Sequence, residues 1–163
     1  MTYDTPHPEG SIETVTAPGR EARAQMTGLL TDFVKNVPGV THTLLISRDG
    51  LKLVDSDVHR DWADTWAATL GSLASLCESI PGPTGGREAL KLVLVEREDA
   101  LIFASIAGSS VAFPNQPGNR QGVVDTVLAV IALPDANVGT VGYEMGLLVD
   151  RFAPYMLALV RSA

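Results

Sequence analysis

Cysteine is almost missing. Cys77 is the single thiol in 163 residues, so an intrachain disulfide is excluded and nothing points to an oxidising compartment. Basic charge is scarce as well: 12 Lys and Arg stand against 19 Asp and Glu, and 12 − 19 = −7. That balance speaks against a nucleic-acid binder, which needs a basic face to neutralise phosphate. It speaks equally against docking on an anionic membrane. Long apolar runs are lacking too. The longest, around Val127–Leu133, falls far short of the ~18 residues of a membrane span, so no membrane insertion is expected. The opening MTYDTPHPEG has neither a basic start nor an apolar centre, and does not read as a secretory signal. What is present is globular in composition, with 45% hydrophobic residues, and fits one domain on the prior of ~100–200 residues per domain. The expectation is a soluble, acidic, cytoplasmic protein.

Residues 1–24 hold Pro6, Pro8, Pro18, Gly10 and Gly19 and few large apolar side chains, which predicts a disordered, proteolysis-sensitive tail. From Ala24 to Asn36 apolar residues recur at helical spacing, and Pro38-Gly39 ends the pattern. Val40–Ser47 alternates as a strand, with Val40, His42, Leu44 and Ile46 on one side. Asp49-Gly50 then signals a hairpin into Leu51–Asp55. A helix is expected over Trp62–Ser79, capped by Asp61. Strands follow at Ala89–Arg97, Leu101–Ala107 and Val123–Leu133, with a polar loop over Gly108–Gly122. A last helix runs from Val138 to about Leu159, where Pro154 is expected to kink or end it. Short links between strands predict an antiparallel sheet and an α+β class. The strands are apolar on both faces, so both faces must be covered, and three helices can do it.

The residue types that carry chemistry are scattered. Cys77 lies mid-helix among Leu73, Leu76 and Ile80 with no base beside it in sequence, which suits a small core residue better than a nucleophile. Asp57-x-His59 supplies at most half a metal site. Gly82-Pro83-Thr84-Gly85-Gly86-Arg87 leads to Glu88 and a strand, whereas a phosphate cradle needs a Lys and a helix start. Glu96, Glu98 and Asp99 cluster at a turn, where exposure cannot separate their pKa values for acid–base work. No Gly-x-Ser-x-Gly setting surrounds any serine. No enzyme activity, metal or cofactor is expected.

The segment from Asp61 to Ile80 stands out, because Thr65 to Cys77 carries no charge. Trp62, Trp66, Leu70, Leu73, Cys77 and Ile80 make a stripe of large side chains. Ala63, Ala67, Gly71, Ala74 and Ser75 make a stripe of small ones. A surface helix of a lone domain is polar outside. One stripe can therefore pack on the sheet, and the other must meet something else, for which a second copy of the chain is the nearest candidate. With the adjoining strand, the expected dimer interface comprises Trp62, Ala63, Trp66, Ala67, Leu70, Gly71, Leu73, Ala74, Val93 and Val95.

Several short motifs stand in a telling order. Phe33-Val34-x-x-Val37-Pro38-Gly39-Val40 leads into a strand, Ser47-Arg48-Asp49-Gly50-Leu51 forms the hairpin, Leu70-x-Ser72-Leu73-Ala74 lies on the middle helix, and Val141-Gly142-Tyr143-Glu144-Met145 opens the last. In these the chain resembles the Roadblock / dynein light chain family, most of all the actinobacterial versions found beside a sensor-kinase-like protein and a small Ras-like GTPase. The resemblance spans about residues 26–157, and places a Roadblock-like domain at 25–160. It implies a profilin-like five-stranded antiparallel sheet with one central helix on one face and two terminal helices on the other. It also implies a homodimer whose sheets join edge to edge. The function it implies is non-enzymatic: regulation or scaffolding of a small Ras-like GTPase, with the sensor-kinase-like protein as a further partner. Arg48, Arg60, Arg87, Arg97 and Arg120, near loops or element ends, are the arginines that such a regulator could offer in trans. The competing expectation is a small-molecule sensor or adaptor domain of similar build, which needs a cavity with convergent polar groups.

Overall fold

The computed structural model describes residues 17–110 and 124–156. Among them the order is α1 (Ala17–Asn36), β1 (Val40–Ser47), β2 (Lys52–Asp55), α2 (Arg60–Glu78), β3 (Val93–Glu96), β4 (Leu101–Ser110), β5 (Val124–Ala132) and α3 (Val138–Met156). The five strands form one sheet in the order β2-β1-β5-β4-β3, and every neighbouring pair is antiparallel. The expected α+β class and layer arrangement are what the chain adopts. α1 and α3 cover one face and α2 covers the other.

The side-chain period of two divides the strands between two cores. Leu45, Leu101, Phe103, Leu128 and Val130 point to α1 and α3, where they meet Met26, Leu30, Met145, Leu148 and Phe152. Leu44, Ile46, Ala104, Val127 and Ala129 point to α2. Val40 belongs to the α1/α3 core rather than to the side of His42 and Leu44. The register of β1 against β5 slips between Val40 and His42, and a one-residue slip moves a side chain to the opposite face. Buried polar groups on the strands are mostly bonded: Thr43 Oγ1 donates to the Leu30 carbonyl at 3.1 Å, and Thr126 Oγ1 to that of Gly108 at 2.7 Å.

Element ends depart from expectation in four places. α1 begins at Ala17, and Ala22 is part of the core, so the helix takes up the last third of the expected tail. The remaining residues, 1–16, lie outside the described ones. α2 is capped by His59, not Asp61: its side chain accepts the Asp61 N–H through Nδ1 at 3.3 Å. β3 is confined to Val93–Glu96, because Leu90 turns aside and gives its N–H to Glu78 Oε1 at 3.4 Å. β4 continues through Gly108 to Ser110, paired with Thr126, Asp125 and Val124, so the polar stretch starts as strand and not as loop. The rest of that expected loop, with Arg120, falls outside the described residues. α3 runs through Pro154 to Met156, and the expected end near Leu159 is likewise beyond them.

Candidate functional site

α2 lies on the sheet by its small residues. Ala63, Ala67, Leu70, Gly71 and Ala74 are the buried ones. The reason is the hairpin turn below. Arg48-Asp49-Gly50 is closed by Ser47 N–H to the Leu51 carbonyl at 2.8 Å and Gly50 N–H to the Ser47 carbonyl at 3.0 Å, with Gly50 at φ +90°. A Cβ added at Gly71 would stand 3.0 Å from Gly50 Cα and 3.2 Å from the Arg48 carbonyl oxygen. Helix and turn therefore meet backbone to backbone, and only small side chains leave room for it. Of the two stripes, the small one is therefore the one that packs on the sheet. Ala63, Ala67, Leu70, Gly71 and Ala74 are covered by their own sheet and are not available to a second copy.

The large side chains sit at the flanks and outside. Trp66 and Leu73 are half-buried against the α2-side core, and Cys77 is half-buried near the helix end. Trp62, Leu76 and Ile80 are exposed. Val93 and Val95 are half-buried on β3, while Leu92 and Leu94 are exposed beside the opposite face of that edge strand. The outward surface of α2 thus carries Thr65, Ala68, Thr69, Ser72, Ser75 and Leu76. Two of its four hydroxyls fold back on the helix: Thr65 Oγ1 donates to the Asp61 carbonyl and Ser72 Oγ to that of Ala68, each at 3.0 Å. Such back-bonding leaves a face with no charge and few open donors.

Two arginines near this face are tied down. Arg48 pairs with Glu78, which also accepts from Leu90 N–H. Arg97 grips Asp99 with two bonds, of 2.8 and 2.7 Å, across the β3–β4 turn. Arg60 and Arg87 are exposed. The Gly-rich stretch closes on itself, Gly82 N–H to the Gly86 carbonyl at 2.8 Å, and leads to no helix. Among the described residues no three His, Cys, Asp or Glu converge as a metal set.

Two concavities flank the helices. One, about 320 Å³, lies between the start of α2, β1, the end of β5 and the β3–β4 turn, and is lined by His42, Trp62, Trp66 and Asp99. Burial lowers the His42 pKa below its ordinary 6.5, so its imidazole is neutral at neutral pH. The other, about 720 Å³, lies between α3 and the part of β4 that runs past β3. Gly146 leaves it open, since a Cβ there would meet nothing within 4 Å. Ser105 borders it, 8% exposed, and its Oγ is a buried polar atom without a hydrogen-bond partner among the described residues. No sequence signal marked Ser105 or the His42–Trp66 contact, because the first depends on how α3 lies beside β4 and the second on how α2 packs on β1. Among the described residues no helix is long and apolar enough to cross a membrane.

The comparisons agree with this architecture. The Roadblock/LC7 domain model matches residues 26–113. The Roadblock/LC7 domain of Streptomyces avermitilis is 33% identical, with a TM-score of 0.66, covering 80% of this chain and 97% of its own. A second Streptomyces Roadblock/LC7 structure is 29% identical at a TM-score of 0.57, covering 78% of this chain and 97% of its own. The gliding protein MglB of Thermus thermophilus shares the fold at 14% identity and a TM-score of 0.63, over 83% of this chain and 90% of its own. No curated protein matches the chain in sequence. With its three helices, its five antiparallel strands and these relatives, the chain belongs to the Roadblock/LC7 family.

Proposed function

We propose that the chain is a cytoplasmic, non-enzymatic, homodimeric regulator or scaffold for a small Ras-like GTPase in a bacterial signalling system. The observation that carries this is the outward face of α2, uncharged from Thr65 to Cys77, on a sheet whose edge strand β3 has no further neighbour among the described residues. An uncharged helix face on a sheet with an unpaired edge strand supports a symmetric contact, in which a second copy pairs along β3 and lays its α2 beside the first. Leu76 and Ile80, exposed by 67% and 66%, are the anchors such a contact would cover. The GTPase comes from the family resemblance, and so does a sensor-kinase-like protein as a further partner. The chemistry of the surface fits binding rather than catalysis: Arg48 and Arg97 are held in ion pairs. Regulation would then act by preferring one nucleotide state of the GTPase, since differential affinity shifts a population.

The test is a binding titration with the GTPase encoded nearest the gene, loaded with GDP or with a non-hydrolysable GTP analogue. Binding that differs between the two states is expected. A dimer that binds neither would sink the regulator reading. A second reading, a small-molecule sensor, is favoured by the 720 Å³ groove with its unbonded Ser105 hydroxyl. A ligand carried through purification and lost in a variant that fills the groove, Gly146→Leu, would favour it instead.

A further inference from the structure

Both tryptophans of the chain stand at one cavity, the 320 Å³ concavity at the start of α2. Trp66 and His42 meet edge to face, with ring centroids 5.2 Å apart and planes at 65°. Trp62 follows one helical turn away, 6.0 Å from Trp66 and tilted by 46°. Tilted rings make a corner rather than a stack. Trp62 keeps 58% of its surface exposed, although an indole gains most from being covered.

The polar groups around the corner are set for one kind of guest. Thr41 Oγ1 donates to the Ile131 carbonyl at 3.1 Å, so it can only accept from His42 at 2.9 Å. That fixes the proton on Nδ1 and leaves Nε2 a lone-pair acceptor. Asp99 lines the opposite side, and no Lys or Arg lines the cavity among the described residues. Indole faces with no lysine or arginine among the lining residues attract a cation. The kind of cation follows from Arg97, which already spans both Asp99 oxygens. A guanidinium would find no bare carboxylate to grip with its two parallel donors. A metal ion would find no converging set of ligands. A quaternary ammonium needs neither, because it has no N–H to satisfy and little hydration to lose.

We propose that this cavity binds an alkylated ammonium head through Trp62 and Trp66, with Asp99 at its rim. The head can belong to a free molecule or to a trimethylated lysine in a peptide.

Intrinsic fluorescence of the full chain reports this site alone, since both indoles stand in it. Choline is titrated against 3,3-dimethyl-1-butanol, its uncharged isostere, with sodium chloride at matched ionic strength. A peptide with trimethyllysine is compared with the same peptide unmodified. We expect a saturable change with choline, at least fivefold weaker binding of the isostere, and at least a fivefold loss in Trp62→Ala, read through Trp66. Tyr143→Ala, remote from the cavity on α3, should bind as the parent does. Tighter binding of the modified peptide than of choline assigns the head to a protein, and the reverse assigns it to a free molecule. The proposal is overturned if choline gives no saturable change, if the isostere binds equally, or if Trp62→Ala binds like the parent.

Discussion

Gly50 and Gly71 face each other across the contact between the β1–β2 turn and α2, and a Cβ on Gly71 would come within 3.1 Å of the Gly50 backbone nitrogen. In an exposed helix, Gly→Ala stabilises by roughly 1 kcal/mol. Here the atoms in the way are backbone and cannot swing aside. Gly71→Ala should therefore destabilise the protomer, by about 1–3 kcal/mol as for other overpacked contacts. Thermal denaturation of the two proteins measures it, and a raised melting temperature would contradict the contact.

Ser105 should be improved by losing its hydroxyl. A buried polar atom with no partner costs roughly 1–3 kcal/mol, and alanine removes it at almost unchanged shape. Ser105→Ala is expected to raise stability by about 1 kcal/mol in urea unfolding. A loss of that size would mean that the hydroxyl is satisfied by something in the groove.

Leu76 tests the proposed self-contact separately from the fold. It is 67% exposed, so Leu76→Asp should change protomer stability by no more than about 0.5 kcal/mol. A charge buried in a symmetric contact is strongly unfavourable, and it enters twice. Sedimentation equilibrium should show at least a tenfold weaker dimer on the order of 1.4 kcal/mol or more. An unchanged dimer would move the contact elsewhere.

Asp55 ties acid stability to the hairpin. Burial alone would raise its pKa, but Lys52 at 2.9 Å and the N–H groups of Asp57 and Val58 outweigh burial, and the carboxyl lies below its ordinary 3.8. A depressed folded-state pKa gives stability that is complete above the unfolded value and is lost as pH falls through the folded one. Asp55→Asn should be less stable than the parent at pH 7, by about 1 kcal/mol. The gap should close as the pH drops below 3.8. Unfolding curves from pH 7 to pH 2 follow it, and a gap that widens in acid would reverse the assignment.

Much of the fold was legible because it is local. Asp49-Gly50 marked the hairpin, and alternation along β4 separated Phe103 from Ala104 correctly between the two cores. The facing of α2 was not legible. Periodicity shows that stripes exist but not how close the helix must come, and that distance is set by the hairpin turn, which is remote in sequence. One signal was present and went unused, the pairing of two glycines, one in a turn and one in a helix interior. The start of α1 had a local marker too, since Pro18 suits the first turn of a helix. The aromatic corner was invisible for a different reason: His42 and Trp66 are joined only by the packing of α2 on β1.

Glu78 holds Arg48 on one side and the Leu90 N–H on the other, while Gly82 and Gly86 close the stretch between. The segment from Ser79 to Ala89 is thus a loop tied at both ends, outside the sheet and outside both cores. Lengthening such a loop is entropically cheap, about 0.6 kcal/mol for each doubling. A tag or epitope inserted between Gly82 and Gly86, past Ile80, should therefore leave the domain folded.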